Sequence, residues 1–155
     1  MPTGYQASFE PAMRAALDEA DAALGTGDVP VGAVVLDASG RVIARGRNRR
    51  EADGDPTAHA EIVAIREAAR RAGRWRLDGL TLVVTLEPCT MCAGAVTAAR
   101  LSRLVYGAED PRAGAVGSVC DVVRDQRVVQ APEVIGGVLA DQCLNVIRRF
   151  FSEHR

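Results

Sequence analysis

The chain has 155 residues, a formal net charge of −1, 48% hydrophobic and 25% charged residues, proportions that exclude a disordered tail, a collagen-like repeat and a disulfide-dense miniature scaffold. Its length suits one domain with a core of its own, so residues 1–155 are read as a single domain. Near-neutrality argues against coating nucleic acid by bulk electrostatics; all 19 basic residues are nonetheless Arg, a planar fork suited to phosphate, although a codon bias is the default explanation.

Apolar residues recur at helical spacing over 9–24 (Phe9, Met13, Ala16, Leu17, Ala20, Leu24), and Gly25 and Gly27 supply a stop, which predicts a first helix. Residues 31–36 form a short apolar run, Ala38-Ser39-Gly40 turns the chain, and 41–46 alternates, the pattern of a β-hairpin. A polar loop is expected over 48–56. Residues 58–72 read as a strong helix closed by Gly73. The run 80–86 is apolar enough for a buried central strand and leads into Glu87-Pro88-Cys89, where Pro suits the start of a helix reaching about residue 99. A strand at 104–106, a turn-rich loop at 107–117, a last strand at 134–135 and a helix over 139–151 complete the chain. Strands alternating with helices after a hairpin imply an α/β fold, a three-layer α/β/α sandwich around a mixed five-stranded sheet.

No run of about eighteen apolar residues is available to span a membrane. Glu10, Asp18, Glu19 and Asp21 near the N-terminus are wrong for a secretory signal or a transit peptide. The expected location is the cytoplasm. There the cysteines Cys89, Cys92, Cys120 and Cys143 would stay reduced and serve metal binding, redox chemistry or packing.

Chemistry concentrates in two short motifs, His59-Ala60-Glu61 and Pro88-Cys89-Thr90-Met91-Cys92, each at the start of a helix. Cysteines at i and i+3 share a helical face, so two thiolates reach one ion, and His59 adds a third ligand. Three protein ligands leave a tetrahedral position open for water, the arrangement of catalytic rather than structural zinc. Glu61, two residues past His59, is placed to take a proton from that water and deliver it to a departing amine, as hydrolytic deamination requires. Three other readings stand beside this one. The Cys-x-x-Cys pair suits redox chemistry, Cys120 could close a structural site, and Cys143 sits among apolar helical residues as a core thiol.

His-x-Glu followed about thirty residues later by Pro-Cys-x-x-Cys resembles the zinc-dependent nucleobase deaminases. Val29-Pro30-Val31-Gly32-Ala33-Val34, Asn48-Arg49, the segment from Asp55 to Glu61, that from Thr85 to Ala95 and that from Gly107 to Ala115 are together similar to the bacterial tRNA-specific adenosine deaminases. The resemblance implies a cytidine-deaminase-like sandwich, one Zn²⁺ per subunit on His59, Cys89 and Cys92, and Glu61 as proton shuttle. It further implies a homodimer acting on the wobble adenosine in the anticodon loop of an arginine tRNA. On the same footing, Asn48 would hydrogen-bond the flipped base and its sugar, and Asp110 would lie in the loop lining the RNA channel.

From the residues alone, aromatic platforms for stacking are few, and small aliphatic walls such as Val31 and Ala58 are expected. Asn48 is equally an ordinary turn residue, and Asp110 is either an acceptor for a ribose 2′-OH or a turn residue before Pro111. Arg41, Arg45, Arg47, Arg49 and Arg50 flank Asn48 without an intervening acid, and a second basic block holds Arg70, Arg71, Arg74 and Arg76. Arg49 and Phe150 complete the expected substrate contacts. A free-base deaminase acting on guanine or cytosine, or a structural zinc or redox protein, are the competing functions.

Overall fold

The computed structural model describes residues 3–128 and 130–154. In chain order it contains α1 (Gly4–Ala7), α2 (Glu10–Ala23), β1 (Gly32–Leu36), β2 (Val42–Arg47), α3 (Arg50–Asp53), α4 (Ala60–Ala72), β3 (Thr81–Leu86), α5 (Thr90–Ala98), β4 (Arg103–Ala108), β5 (Glu133–Ile135) and α6 (Ala140–Glu153). The strands form one sheet in the order β2-β1-β3-β4-β5. β1 is antiparallel to both β2 and β3, whereas β3, β4 and β5 run parallel. This is the mixed five-stranded α/β/α sandwich expected from the pattern of elements.

Period-two alternation divides the core between the faces. Val34, Val83 and Val105 join Met13 and Ala16 of α2 and Cys143 of α6 on one side. Ala33, Val35, Leu82, Val84 and Leu104 meet Ala60, Ala64 and Ala68 of α4 and Ala93 and Val96 of α5 on the other. Because helices cover both faces, β3 is almost continuously apolar and buried, as parallel-sheet strands are. Alanines on α4 let it approach the sheet closely. At Gly46 of β2 an added Cβ would lie 2.6 Å from the backbone nitrogen of Ala64 and collide with the carbonyl of Ala60. This close approach fixes where the N-terminus of α4 sits.

The hairpin turn is held by Asp37, whose Oδ1 accepts from the backbone nitrogens of Ser39 at 2.9 Å and Arg41 at 3.0 Å. Three local details differ from the sequence expectation. Helix α4 starts at Ala60 instead of residue 58 because the Ala58 carbonyl accepts from the Arg49 backbone nitrogen at 2.9 Å, which keeps 58–59 extended. The loop 48–56 contains α3, whose first turn is capped from afar: the buried Asp28 carboxylate accepts from the backbone nitrogens of Glu51 at 2.6 Å and Ala52 at 3.2 Å. The short α1 is closed by a capping box between Thr3 and Gln6. No helix among the described residues is long and apolar enough to cross a membrane.

Candidate metal centre

Two helices point their N-termini at one spot beyond the C-terminal end of β3, beside the position where antiparallel pairing gives way to parallel. Crevices outside the carboxyl ends of strands at such a switch are where open α/β sheets bind ligands. His59 is the N-cap of α4 and Cys89 the N-cap of α5, and neither side chain caps its own helix. Both are left available to a ligand. Cys92, one turn into α5, is fully buried and completes the group.

His59 Nδ1 lies 3.6 Å from Cys89 Sγ and 3.5 Å from Cys92 Sγ, and all three donor atoms fall within 4.8 Å of one another. Zinc–sulfur and zinc–nitrogen bonds at tetrahedral angles would put nitrogen and sulfur about 3.5 Å apart. Both nitrogen–sulfur separations therefore match edges of a zinc tetrahedron, and three protein donors leave its fourth corner to a non-protein ligand. Hydrogen bonding from Cys92 and His59 pulls the Cys89 thiol down to about 3, into the thiolate form that ligates metals. That thiolate, together with burial, pushes the Cys92 thiol up. Cys120 is exposed and not part of the group, and Cys143 is buried in the α6 face of the core.

A cavity of about 180 Å³ opens over the centre. It is smaller than the about 300–1,000 Å³ typical for drug-sized ligands, so it suits a single ring system with the remainder of the molecule outside. Of the residues expected from the sequence, Val31, Asn48, His59, Glu61, Cys89 and Asp110 line it. Glu61 is buried, and burial pushes its carboxyl up against the downward pull of His59. Asn48 Nδ2 donates to the Val29 carbonyl at 3.1 Å, and its Oδ1 accepts from the Arg50 backbone nitrogen at 3.2 Å. One N–H and one lone pair remain for a ligand. Asp110 is a turn residue, its Oδ1 accepting from the backbone nitrogens of Arg112 at 3.0 Å and Ala113 at 3.3 Å, and it also lines the cavity.

Arg49, Ala58 and Phe150 are not brought to the cavity. Arg49 turns away to grip Asp53 through two hydrogen bonds of 2.9 and 3.0 Å, and its exposed neighbour Arg50 takes the place at the mouth. Ala58 is buried, with its carbonyl tied to Arg49. Phe150 is buried on α6, stacked on His154 with ring centroids 4.1 Å apart. Neighbouring positions on a loop face opposite ways, a distinction that sequence adjacency does not carry.

Glu87 is the wall residue that the motifs did not mark. Its carboxylate accepts from the backbone nitrogens of Asp110 at 3.1 Å, Val116 at 2.9 Å and Ser118 at 3.1 Å, and from the Ser118 hydroxyl. Gly114 leaves the room, since a Cβ there would meet Glu87 Oε1 at 2.5 Å. Glu87 therefore holds the loop that carries Asp110. The signal in the sequence was an acid directly after a strand buried on both faces, where a carboxylate must find donors.

Comparison with known proteins agrees with this chemistry. Residues 7–108 match the family model for the cytidine and deoxycytidylate deaminase zinc-binding region. The chain is 44% identical over 143 residues to a tRNA-specific adenosine deaminase of Bacillus subtilis, covering 92% of this chain and 88% of that one. Its fold superposes with a TM-score of 0.81 on a chain solved in a study of A-to-I editing by tRNA:A34 deaminases at the wobble position of transfer RNA, at 46% identity and covering 88% of this chain and 98% of the other. A guanine deaminase from Nitrosomonas europaea superposes with a TM-score of 0.77 at 27% identity, covering 92% of this chain and 84% of that one.

Proposed function

Because the chain belongs to the cytidine and deoxycytidylate deaminase zinc-binding family, we propose that its hydrolytic activity converts adenosine to inosine at the wobble position of a tRNA, an arginine tRNA being the expected substrate. The observation that carries this reading is the open three-ligand centre, His59, Cys89 and Cys92, with buried Glu61 beside it under a cavity sized for one ring. A larger substrate fits only if the reacting base leaves its stack and enters alone. The similarity to tRNA-specific adenosine deaminases along most of both chains supports RNA as the source of that base.

His59, Cys89 and Cys92 would hold a zinc ion, which when bound would supply Lewis-acid activation of water. Glu61 accepts a proton from water and delivers it to the substrate, so that the exocyclic amine departs as ammonia and a carbonyl replaces it at C6. Asn48 offers its spare N–H and lone pair to the base and sugar, Val31 packs on the ring, and Asp110 accepts from a ribose hydroxyl. A charged Arg50 at the mouth meets the phosphate of the extruded nucleotide. Residues 1–155 act as one deaminase domain in the cytoplasm, and two copies form a homodimer. The partly exposed outer face of α5, with Gly94 and Ala95, suits close packing.

The direct test is inosine formation when zinc-loaded protein meets an unmodified tRNA carrying A34. Ammonia release from guanine and cytosine is followed in parallel, because the guanine deaminase likeness favours a free base as the second reading. Turnover of a free base without inosine in the tRNA would replace the proposed substrate.

A further inference from the structure

Five arginines gather in one groove outside the metal pocket, and two segments far apart in sequence build it. Arg45 and Arg49 come from the first basic block, Arg70 and Arg71 from the second, and Arg66 stands between the blocks on α4. All five line one open groove of about 530 Å³ along β2 and α4. Two carboxylates share it. Asp53 pairs with Arg49, and Glu67 pairs with both Arg70 and Arg71. Arg45 and Arg66 are exposed and have no carboxylate partner among the described residues. The other large surface cavities are different in kind. One of about 440 Å³ is lined by Glu10 and Asp141 and contains no Arg, and one of about 650 Å³ sets a single Arg148 against Glu109 and Asp141.

Position ties the groove to the metal pocket. Arg49 lines the groove while Asn48 and Arg50 on either side of it line the pocket. Helix α4 begins at the metal centre and runs along the groove, so Arg66 and Arg71 lie about 8 and 15 Å beyond Glu61 at 1.5 Å per residue. β2 is one of the two edge strands of the sheet, and a charged residue such as Arg45 on an edge disfavours pairing with another strand. An open groove with five guanidinium groups against two carboxylates suits an extended polyanion.

We propose that the groove is a phosphodiester track, holding the sugar–phosphate backbone of the RNA strand that flanks the base in the metal pocket. This rests on the RNA-substrate reading above and adds where the remainder of the strand is gripped. Guanidinium groups suit it because they fork onto phosphate oxygens, and each phosphate neutralised releases condensed counterions, which makes binding salt-dependent.

The test compares zinc-loaded wild type, R45A/R66A and R14A/R127A, the last removing two exposed charges away from the groove. Affinity for an in vitro transcribed tRNA carrying A34 is measured over a salt series, with inosine formation at saturating tRNA and sedimentation alongside. R45A/R66A is expected to bind about tenfold more weakly near 0.1 M salt, with a log–log salt slope shallower by about 1.4–1.8. Its rate at saturation, zinc content and sedimentation should match wild type, and R14A/R127A should bind as wild type does. An unchanged affinity and slope in R45A/R66A, or an equal loss in both variants, overturns the track while leaving tRNA deamination standing. A change in oligomeric state would make the groove an interface between copies, which also overturns it. If the wild-type protein turns over guanine or cytosine but neither binds nor edits tRNA, the substrate reading falls and the track falls with it.

Discussion

Glu61 and Glu87 line the same cavity, are 4% and 2% exposed, and differ in what surrounds their oxygens. Burial pushes both carboxyls up. Around Glu87 the Ser118 hydroxyl and the backbone N–H groups of Val116, Asp110 and Ser118 outweigh that effect and bring it below the ordinary glutamate range. Around Glu61 burial outweighs the downward pull of its own backbone N–H and of His59, and its carboxyl stays raised. Burial prevails at Glu61 and donor supply at Glu87, and that difference separates a carboxylate suited to take up and release a proton from one that anchors a loop as a fixed anion.

The largest effect expected from breaking this contrast is at Glu61. Glu61→Gln should lower inosine formation by about 10²–10⁴-fold while metal analysis still finds one zinc per chain and the protein melts no lower than the parent. Activity retained by the zinc-loaded variant would remove Glu61 from the proton path. Next in size is the loss of a ligand. Cys89→Ser should release most of the zinc and lower turnover in proportion to the zinc lost, whereas Cys120→Ser, at an exposed thiol outside the group, should change stability by less than about 0.5 kcal/mol and leave zinc content unaltered. A metal-free Cys120→Ser protein would mean that the site is closed by a fourth protein ligand.

Glu87→Gln sharpens the comparison from the other side. An amide cannot accept from four donors at once, so a drop of about 2 kcal/mol in unfolding free energy is expected. The Asp110 loop should loosen with it. Steady-state kinetics should then show KM for tRNA rising more than kcat falls, and the reverse pattern would place Glu87 in the chemical step. The smallest effect is a pH dependence of stability. At Asp28 burial raises the carboxyl, but the Thr26 hydroxyl and the amides of Glu51 and Ala52 outweigh it and leave it depressed. A depressed carboxyl contributes stability that is fully present above its unfolded value near 4 and is lost as pH falls through the folded value. Thermal melts in acid should show Asp28→Asn, already lacking that contribution, losing less stability than the parent.

His59, Glu61, Cys89 and Cys92 were legible because ligand chemistry demands those types at close spacing and each motif opens a helix. Five strands and the four longer helices were legible from periodicity, because alternation at two and at 3.6 follows from which face is buried. Asp28 was not, since nothing near it marks a cap for a helix more than twenty residues later. Arg49 and Arg50 could not be told apart either, because which of two adjacent loop residues faces a cavity depends on Asp53 and on the tie between Arg49 and Ala58.

Local residue order was thus enough to determine the sandwich, the His-Cys-Cys metal-ligand group and the acid placed two residues past His59, each encoded in short stretches whose geometry the helix or strand repeat dictates. Tertiary structure alone decided that Glu87 is an anchor, that Arg50 reaches the pocket mouth, and that two distant basic blocks meet in one groove. Those properties depend on which segments pack together, and hydrogen-bond donors or counter-charges brought from far along the chain have no signature in the residues beside them.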